Sequence, residues 1–274
     1  MPATSLSSCS EKPFIVDDEA WSLVAAFLAK RSRQGPERTH ADRLIYEAIV
    51  YVLRGGIAWR MLPERFPPWQ TVYGRFREWS DYGVWQKLTD DLRQTLRLEL
   101  GRNPEPTAGA IDSQSVPSGP CGGVTGYDAG KKIKGRKRHL VVDTEGLLLA
   151  ATVTPANVQD PTAAPEVLTE AKEHAEGLIH VWGDGRYGGK LGEWAKNTLN
   201  VTVEVVSRPK GSKGFVLLPR RWVIERTFGW FTWCRRLACD WEKASWSALA
   251  FIYIAASNSM ARRLAKYLRW QEAV

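Results

Sequence analysis

Three carboxylates in distant parts of the chain are the residues best suited to do chemistry. Asp112 follows a short apolar segment with the pattern of a strand, and Asp184 stands between two glycines just after another such segment. Glu225 lies in an aromatic, basic stretch predicted to be helical, with Arg221 one turn before it and Gly229 one turn after it. Carboxylates gathered from two strands and a helix suit Mg²⁺ or Mn²⁺, and two such ions can activate a water or a 3′-hydroxyl for phosphoryl transfer.

Two of the acids, Asp184 and Glu225, also have a simpler structural explanation. Asp184 fits a turn in which the side chain bonds its own backbone. Arg221 and Glu225 are four residues apart and fit an exposed helical ion pair worth about 0.3–0.5 kcal/mol. Other catalytic patterns are missing: the sequence has no G-x-S-x-G, no P-loop and no metal-ligand spacing among its four histidines. Metal-dependent phosphoryl transfer is therefore the chemistry that the set of acids favours.

Positive charge is clustered beside these acids. The 274 residues carry a formal net charge of +8, and residues 131–138 hold six cations and no acid. Residues 205–236 hold eight cations and one acid, Glu225. Clustered Lys and Arg can follow a phosphate backbone, although one such cluster is equally typical of a solvated loop. Two clusters, each next to a candidate acid, favour nucleic acid as the partner.

The composition is that of an ordinary globular protein, with 44% hydrophobic and 25% charged residues. The longest apolar run, 248–256, is far shorter than the roughly 20 residues that cross a bilayer, so no membrane partner is expected. No signal peptide is expected from the first residues. The cysteines Cys9, Cys121, Cys234 and Cys239 form no CxxC pair, which excludes a zinc ribbon and a disulfide scaffold. A cytoplasmic location follows as the expectation.

Hydrophobic periodicity divides the chain into two parts. Residues 1–16 are predicted to be disordered or extended. A helical module over 17–105 follows, and its amphipathic patterns cover 17–30, 40–53, 69–79 and 84–98. Such a module is typical of a helix-turn-helix-like DNA reader and equally of any small helical bundle. Residues 101–106 have the composition of a linker.

The second part, residues 106–274, alternates strands and helices. Strands are predicted at 108–116, 139–143, 147–154, 178–182 and 201–206, with a Gly-rich loop over 118–130. Helices are predicted at 161–173, 189–199, 220–236 and 245–267. Three early strands with short connections suggest an antiparallel meander, and the later alternation suggests parallel crossovers. The fold class is therefore α/β, with a mixed five-stranded sheet flanked by helices.

Several of these segments together resemble the bacterial insertion-sequence transposases of the DDE type, in the large family numbered five. The segments are AIDSQSV, GRKRHLVVDTEG, TPANVQDP, WGDGRYGG and RRWVIERTFGW, and the stretch 55–85 resembles the helical region that precedes the catalytic domain. The resemblance covers about residues 15–270 and implies an RNase H-like catalytic domain. It places the family's two aspartates on Asp112 and Asp184 and its glutamate on Glu225.

The family's Tyr-x2-Arg-x3-Glu-x6-Lys signature is partly kept. Arg221 and Glu225 match it, whereas Leu218 stands at the Tyr position and Thr232 at the Lys position. Arg226 or Arg235 is the candidate to replace that Lys in gripping DNA. The cations expected to contact DNA are Lys131, Lys132, Arg136, Lys137, Arg138, Arg221, Arg226 and Arg235. His139, Asn157 and Asp160 also match motif positions, and a supporting role behind the acids or a purely structural role is expected for them.

The resemblance implies a function. The chain would cleave DNA at insertion-sequence ends and join the 3′-OH to target DNA, with two Mg²⁺ or Mn²⁺ ions and no nucleotide cofactor. Double-stranded DNA, as terminal inverted repeats and target, would be the partner, and a homodimer would form on it. Two alternatives stay open: a non-catalytic DNA-binding regulator derived from a transposase, and an RNase H-like nuclease without strand transfer.

Overall fold

The computed structural model describes residues 16–28, 39–120, 123–207 and 218–272. Nearly all of the segment 1–16 therefore lies outside the described residues. The same holds for Cys9, Cys121 and three cations of the second basic cluster.

Helices dominate the described part of the first hundred residues, as the hydrophobic periodicity predicts. They are α1 (Asp18–Leu28), α2 (Asp42–Gly55), α3 (Trp69–Asp81) and α4 (Val84–Glu99). The α2 helix buries residues such as Ile45, Ile49 and Leu53, which recur on one face. It ends at Gly56, whose φ of 69° is left-handed and whose N–H donates to the Val52 carbonyl. The Gly-Gly pair therefore ends the helix where the sequence predicts.

A mixed six-stranded sheet forms the centre of the rest of the described chain. Its strands are β1 (Ala108–Pro117), β2 (Gly126–Asp128), β3 (Ile133–Asp143), β4 (Leu148–Pro155), β5 (His180–Gly183) and β6 (Thr202–Val205). The β3 strand pairs antiparallel with β1, β2 and β4, whereas β5 pairs parallel with both β1 and β6. An antiparallel meander followed by parallel strands is the RNase H-like arrangement, which confirms the predicted fold class. The three-residue β2 is an additional strand, in a segment predicted to be a loop.

Five helices follow or flank the strands. They are α5 (Asp160–His174), α6 (Lys190–Leu199), α7 (Pro219–Thr232), α8 (Arg235–Ala238) and α9 (Ser245–Glu272). The predicted helix 220–236 is divided in two, because α7 stops at Thr232 and Cys234 has the extended backbone of a new N-cap. In the described residues, no helix is both long and apolar enough to cross a membrane.

The two faces of the sheet bury separate hydrophobic clusters. Ile111 and Val141 pack with residues of α5 and α6. Ala110 and Leu140, one residue away along the same strands, pack with the N-terminal helices, α7 and α9. This alternation follows from the two-residue period of a strand. It also decides which side of the sheet each functional residue of β1 and β3 occupies.

The N-terminal helices share their core with the C-terminal helix. The rings of Trp59 and Phe76 lie 5.9 Å and 4.9 Å from that of Phe251 in α9. Thr89 of α4 donates its hydroxyl to the Tyr253 carbonyl of α9 at 3.3 Å. The helical module is thus packed onto the strand domain, and the division of the chain at residues 105 and 106 stays a prediction.

Candidate active site

Asp112 lies near the middle of β1, on the face that is turned toward α7. It shares this face with Ala110, two residues earlier, and it is paired in register with Leu140 of β3. Its side chain is 20% exposed. The strand therefore presents a mostly buried carboxylate to the first turns of α7.

One arginine links this strand acid to the helix acid. Arg221, in the first turn of α7, places Nη2 3.8 Å from Asp112 Oδ2 and 3.7 Å from Glu225 Oε1. The Nε atom of the same side chain is buried without a hydrogen-bond partner in the described residues. The Arg221–Glu225 pair is thus a helical ion pair, and it also brings Glu225 to the same guanidinium as Asp112.

Asp184 follows the end of β5, the strand that runs parallel to β1 on its other side. Its Oδ1 accepts the Arg186 backbone N–H at 2.8 Å and so caps a short 3₁₀ turn over Gly185–Tyr187. Gly183 is needed just before it, because an added Cβ would lie 2.9 Å from the Tyr187 side chain. The turn role suggested by the sequence is therefore observed, at a strand end next to Asp112.

The surroundings of Asp112 favour the neutral form of its carboxyl group. Burial, the largest effect, raises its pKa to about 6, and the negative charge of Asp184 adds to this rise. The Ser113 N–H, Arg221 and Lys131 act in the opposite direction. A nearby cation favours the ionised form of such a group. Ligation of a cation would therefore offset part of the burial cost that Asp112 bears.

The acids supply suitable donors but are not drawn together. Oxygen donors from carboxylates are those that Mg²⁺ and Mn²⁺ take. Among the described residues, however, no three His, Cys, Asp or Glu side chains are grouped closely enough to hold a metal ion. Arg221 supplies the positive charge between Asp112 and Glu225. The carboxylates of Asp112, Asp184 and Glu225 are chemically suited to a divalent cation. In this conformation they are too far apart for all three to hold one ion.

Asp160 connects the elements that carry the two aspartates. It is buried at the start of α5 and accepts the Ser113 hydroxyl at 2.7 Å, Lys137 Nζ at 3.1 Å and Arg186 Nη1 at 2.6 Å. Burial alone would raise the pKa of Asp160, but these hydrogen bonds outweigh burial and hold it below its usual value. One carboxylate thus ties the Asp184 turn to both β1 and β3.

His139 lies beside Asp160 on the same face of the sheet. Its Nδ1 is 4.0 Å from Asp160 Oδ1 and is buried without a hydrogen-bond partner, while Nε2 is 3.0 Å from the Thr154 hydroxyl. Burial lowers the pKa of His139 to about 4, so the ring is neutral near pH 7. Asn157 is exposed in the connection between β4 and α5 and packs against Gly126.

Three cations of the first basic cluster are inside the protein. Arg136 and Arg138 are each 2% exposed, and Lys137 is 5% exposed. Arg136 pairs with Asp240 at 3.0 Å, and Arg138 donates to the Leu237 carbonyl at 2.7 Å. The prediction that these three residues contact DNA is wrong for this fold. The cause is that β3 begins at Ile133, six residues before the predicted strand, so its cations alternate into the two buried faces.

The other predicted DNA contacts differ in their surroundings. Lys131 and Lys132 are exposed in the turn before β3, and Lys131 Nζ donates to the Ser113 carbonyl at 3.2 Å, next to Asp112. Arg226 donates to the Glu145 carbonyl at 2.9 Å, in the turn that joins β3 to β4. Arg235 is exposed in α8.

Ser113 and Arg186 were not predicted as functional residues. Both contact Asp160. Ser113 directly follows Asp112 in the chain, and Arg186 comes two residues after Asp184. Their proximity to Asp112 and Asp184 in the sequence was the available signal. Their common partner is visible only in three dimensions.

The family models identify the class of protein. Residues 103–258, more than half of the chain, match the family described as "Transposase DDE domain". Residues 16–89 match "Putative transposase of IS4/5 family". The chain therefore belongs to the DDE transposase family of insertion sequences.

Individual relatives agree with this family. The "Insertion element IS402 uncharacterized 16.2 kDa protein" of Burkholderia cepacia is 31% identical over 112 residues, which are 37% of this chain and 72% of the relative. The "Putative transposase for insertion sequence element IS402" of the same organism is 30% identical over 116 residues, 40% of this chain and 54% of the relative. A chain of the "Crystal structure of a pre-cleavage Mos1 transpososome" is matched over 88% of this chain and 81% of its own, at 11% identity. Its TM-score of 0.29 is too low to inform fold or function.

Proposed function

We propose that this transposase cuts DNA at the ends of an insertion sequence and joins the freed 3′-OH to target DNA. In this proposal Asp112, Asp184 and Glu225 hold two Mg²⁺ or Mn²⁺ ions. The observation that carries it is the shared guanidinium of Arg221, within 4 Å of the strand acid and of the helix acid. Asp184 supports it, since its charge is close enough to raise the pKa of Asp112.

The protein residues have distinct parts in this reaction. Bound divalent ions would supply an activated water or 3′-hydroxyl and a stabilised leaving oxygen. Arg221 already contacts Asp112 and Glu225. A DNA phosphate that binds at this position can therefore accept a bidentate, charge-assisted pair of hydrogen bonds from its guanidinium group. Release of Arg221 from Asp112 and Glu225 leaves both carboxylates available to a cation. Asp160, through Arg186, keeps the Asp184 turn in place.

Exposed cations around Asp112 define the proposed path of the DNA. Lys131 reaches the Ser113 carbonyl next to Asp112, and Lys132 follows it in the same exposed turn. Arg220 of α7 is also exposed and lies 4.3 Å above the Trp182 ring of β5. Contacts of this kind bind the phosphate backbone irrespective of sequence and weaken with salt. Arg235 is exposed and stays a proposed contact, whereas Arg226 would first have to leave the Glu145 carbonyl.

The test uses DNA that carries the terminal repeats flanking the gene, with Mg²⁺. Asp112→Asn and Glu225→Gln should each abolish cleavage, while Glu193→Gln, a change at an exposed helical glutamate of α6, should leave it intact. Folding of each variant is checked by circular dichroism. Undiminished cleavage by a folded Asp112→Asn protein would overturn the proposal.

Further arms of the same assay separate the alternatives. A non-catalytic regulator would bind end DNA without nicking it. A nuclease would cleave it but would fail to join pre-cleaved ends to a target plasmid.

We also propose that the chain acts as a homodimer on DNA. The mass of the complex with end DNA, measured by light scattering, should then correspond to two chains.

A further inference from the structure

A cavity of about 340 Å³ lies between α7, the turn joining β3 to β4, and α9. This volume is in the range of small-ligand sites, roughly 300–1,000 Å³. The described residues that line the cavity do not include Asp112, Asp184 or Glu225. The cavity is therefore separate from the candidate active site, although α7 contributes to both.

The cavity is positively charged. Arg54, Arg262 and Arg263 line it, and none of the other described lining residues is an Asp or a Glu. Arg263 is held by Glu145 at 3.3 Å, whereas Arg262 is exposed to solvent. Burial and then the charge of Arg262 lower the pKa of Arg54, so these two guanidinium groups are close enough to repel. An anion at this position would offset that repulsion.

The remaining walls fit a flat ligand that can donate a hydrogen bond. Asn258 is 6% exposed, and its Oδ1 is buried with no hydrogen-bond partner in the described residues. A buried acceptor without a donor is costly, so a ligand N–H there would be favourable. Trp230 and Trp233 supply aromatic walls, and Trp233 is 77% exposed. Exposed indole rings of this kind stack on planar bases.

We propose that this cavity binds a nucleotide. The phosphate lies between Arg54 and Arg262, and the base lies against Trp233 with an amino group donating to Asn258 Oδ1. The same chemistry has two sources, one unstacked nucleotide of a DNA strand or a free nucleotide. The inference does not rest on the proposed cleavage reaction, since the Glu225→Gln protein should bind as well as the wild type.

The test is calorimetric titration of the full chain with dAMP, without divalent ions. Arg262→Gln should weaken binding about tenfold, the loss typical for a hydrogen bond to a charged group. Asn258→Leu, which removes the acceptor, should weaken it as well. Lys266→Gln, at an exposed cation one turn further along α9, is the matched control and should change nothing. Equal affinities of Arg262→Gln and Lys266→Gln would overturn the proposal.

A footprint on Cys234 gives a second readout that needs no variant. Cys234 is 9% exposed and lines the cavity, so bound dAMP should slow alkylation of its thiol, measured by peptide mass spectrometry. Adenosine, which lacks the phosphate, should give no protection at the same concentration. Absence of dAMP protection, or equal protection by adenosine, contradicts the proposal.

A single-stranded deoxyadenosine oligonucleotide distinguishes the two sources. If it displaces dAMP and also depends on Arg262, the natural ligand is a nucleotide within DNA. If dAMP binds and the oligonucleotide does not displace it, the cavity takes a free nucleotide. Failure of both ligands to bind excludes a nucleotide site altogether.

Discussion

Replacement of Asp112 by Asn should stabilise the protein while removing its proposed activity. The pKa of Asp112 is about 6 in the folded chain against 3.8 for the ordinary carboxyl, because the site is buried and faces Asp184. A shift of this size corresponds to about 3 kcal/mol, at about 1.4 kcal/mol per pH unit. This free energy destabilises the folded state only when Asp112 is ionised. Asn has nearly the same shape as Asp but carries no charge, so the substitution removes the destabilisation.

The sign of the effect fixes its pH dependence. Near the unfolded pKa of 3.8 the folded state still holds the proton and the unfolded state has lost only part of it, so Asp112→Asn should change the free energy of unfolding by less than about 1 kcal/mol near pH 4. The gain should grow between the unfolded pKa of 3.8 and the folded pKa of about 6, and it should stay near 3 kcal/mol from there to pH 8. Urea unfolding at the two pH values measures both ends of this range.

The matched control is Asp91→Asn. Asp91 is also 20% exposed but faces Lys87 on the surface of α4, so its replacement should cost no more than about 1 kcal/mol. Added Mg²⁺ should stabilise the wild type and not Asp112→Asn, because a ligand of the native state raises stability only where it binds. A gain for Asp112→Asn that is the same near pH 4 and near pH 8 would refute the reasoning.

Three further predictions concern the scaffold. Arg136→Ala should destabilise the fold by about 3–5 kcal/mol in urea unfolding, because Asp240 would remain buried without its partner; a drop below 1 kcal/mol would contradict this. Gly109→Ala should cost about 1–3 kcal/mol, since its Cβ would lie 2.4 Å from the Val142 carbonyl, whereas Gly74→Ala in α3 meets no atom within 4 Å and should not destabilise. Asp160→Asn should cost about 1–3 kcal/mol near neutral pH. Because the folded pKa of Asp160 is lowered, that loss should shrink as the pH falls through the acid range; a loss independent of pH would show that its charge is not involved.

The acids illustrate how far the sequence leads. The type and order of Asp112, Asp184 and Glu225 are visible in the chain, as are the strand that carries Asp112, the strand that Asp184 follows and the helix that carries Glu225. Their mutual positions are not, because strand pairing brings β5 beside β1 only in the folded sheet. The contact of Arg221 with both Asp112 and Glu225 joins residues more than a hundred positions apart.

The basic cluster shows the opposite case. As a sequence, residues 131–138 indicate a solvent-exposed or DNA-bound segment, since charge on Lys and Arg is seldom buried. Burial is possible here because Asp240 pairs with Arg136 and Asp160 pairs with Lys137, and both acids are distant in the chain. No pattern in the sequence around residues 131–138 predicts that these acids will pair with them.

By itself, the sequence determined the helical segments apart from the break between α7 and α8, five of the strands, the α/β class and the candidate acids. These follow from local periodicity and from residue types. The tertiary structure alone decided which cations are buried, which carboxylate links the two aspartates and where a charged cavity opens beside α7. Each of these depends on contacts between residues far apart in the chain, and only the packing of strands and helices sets their distance and their exposure to water.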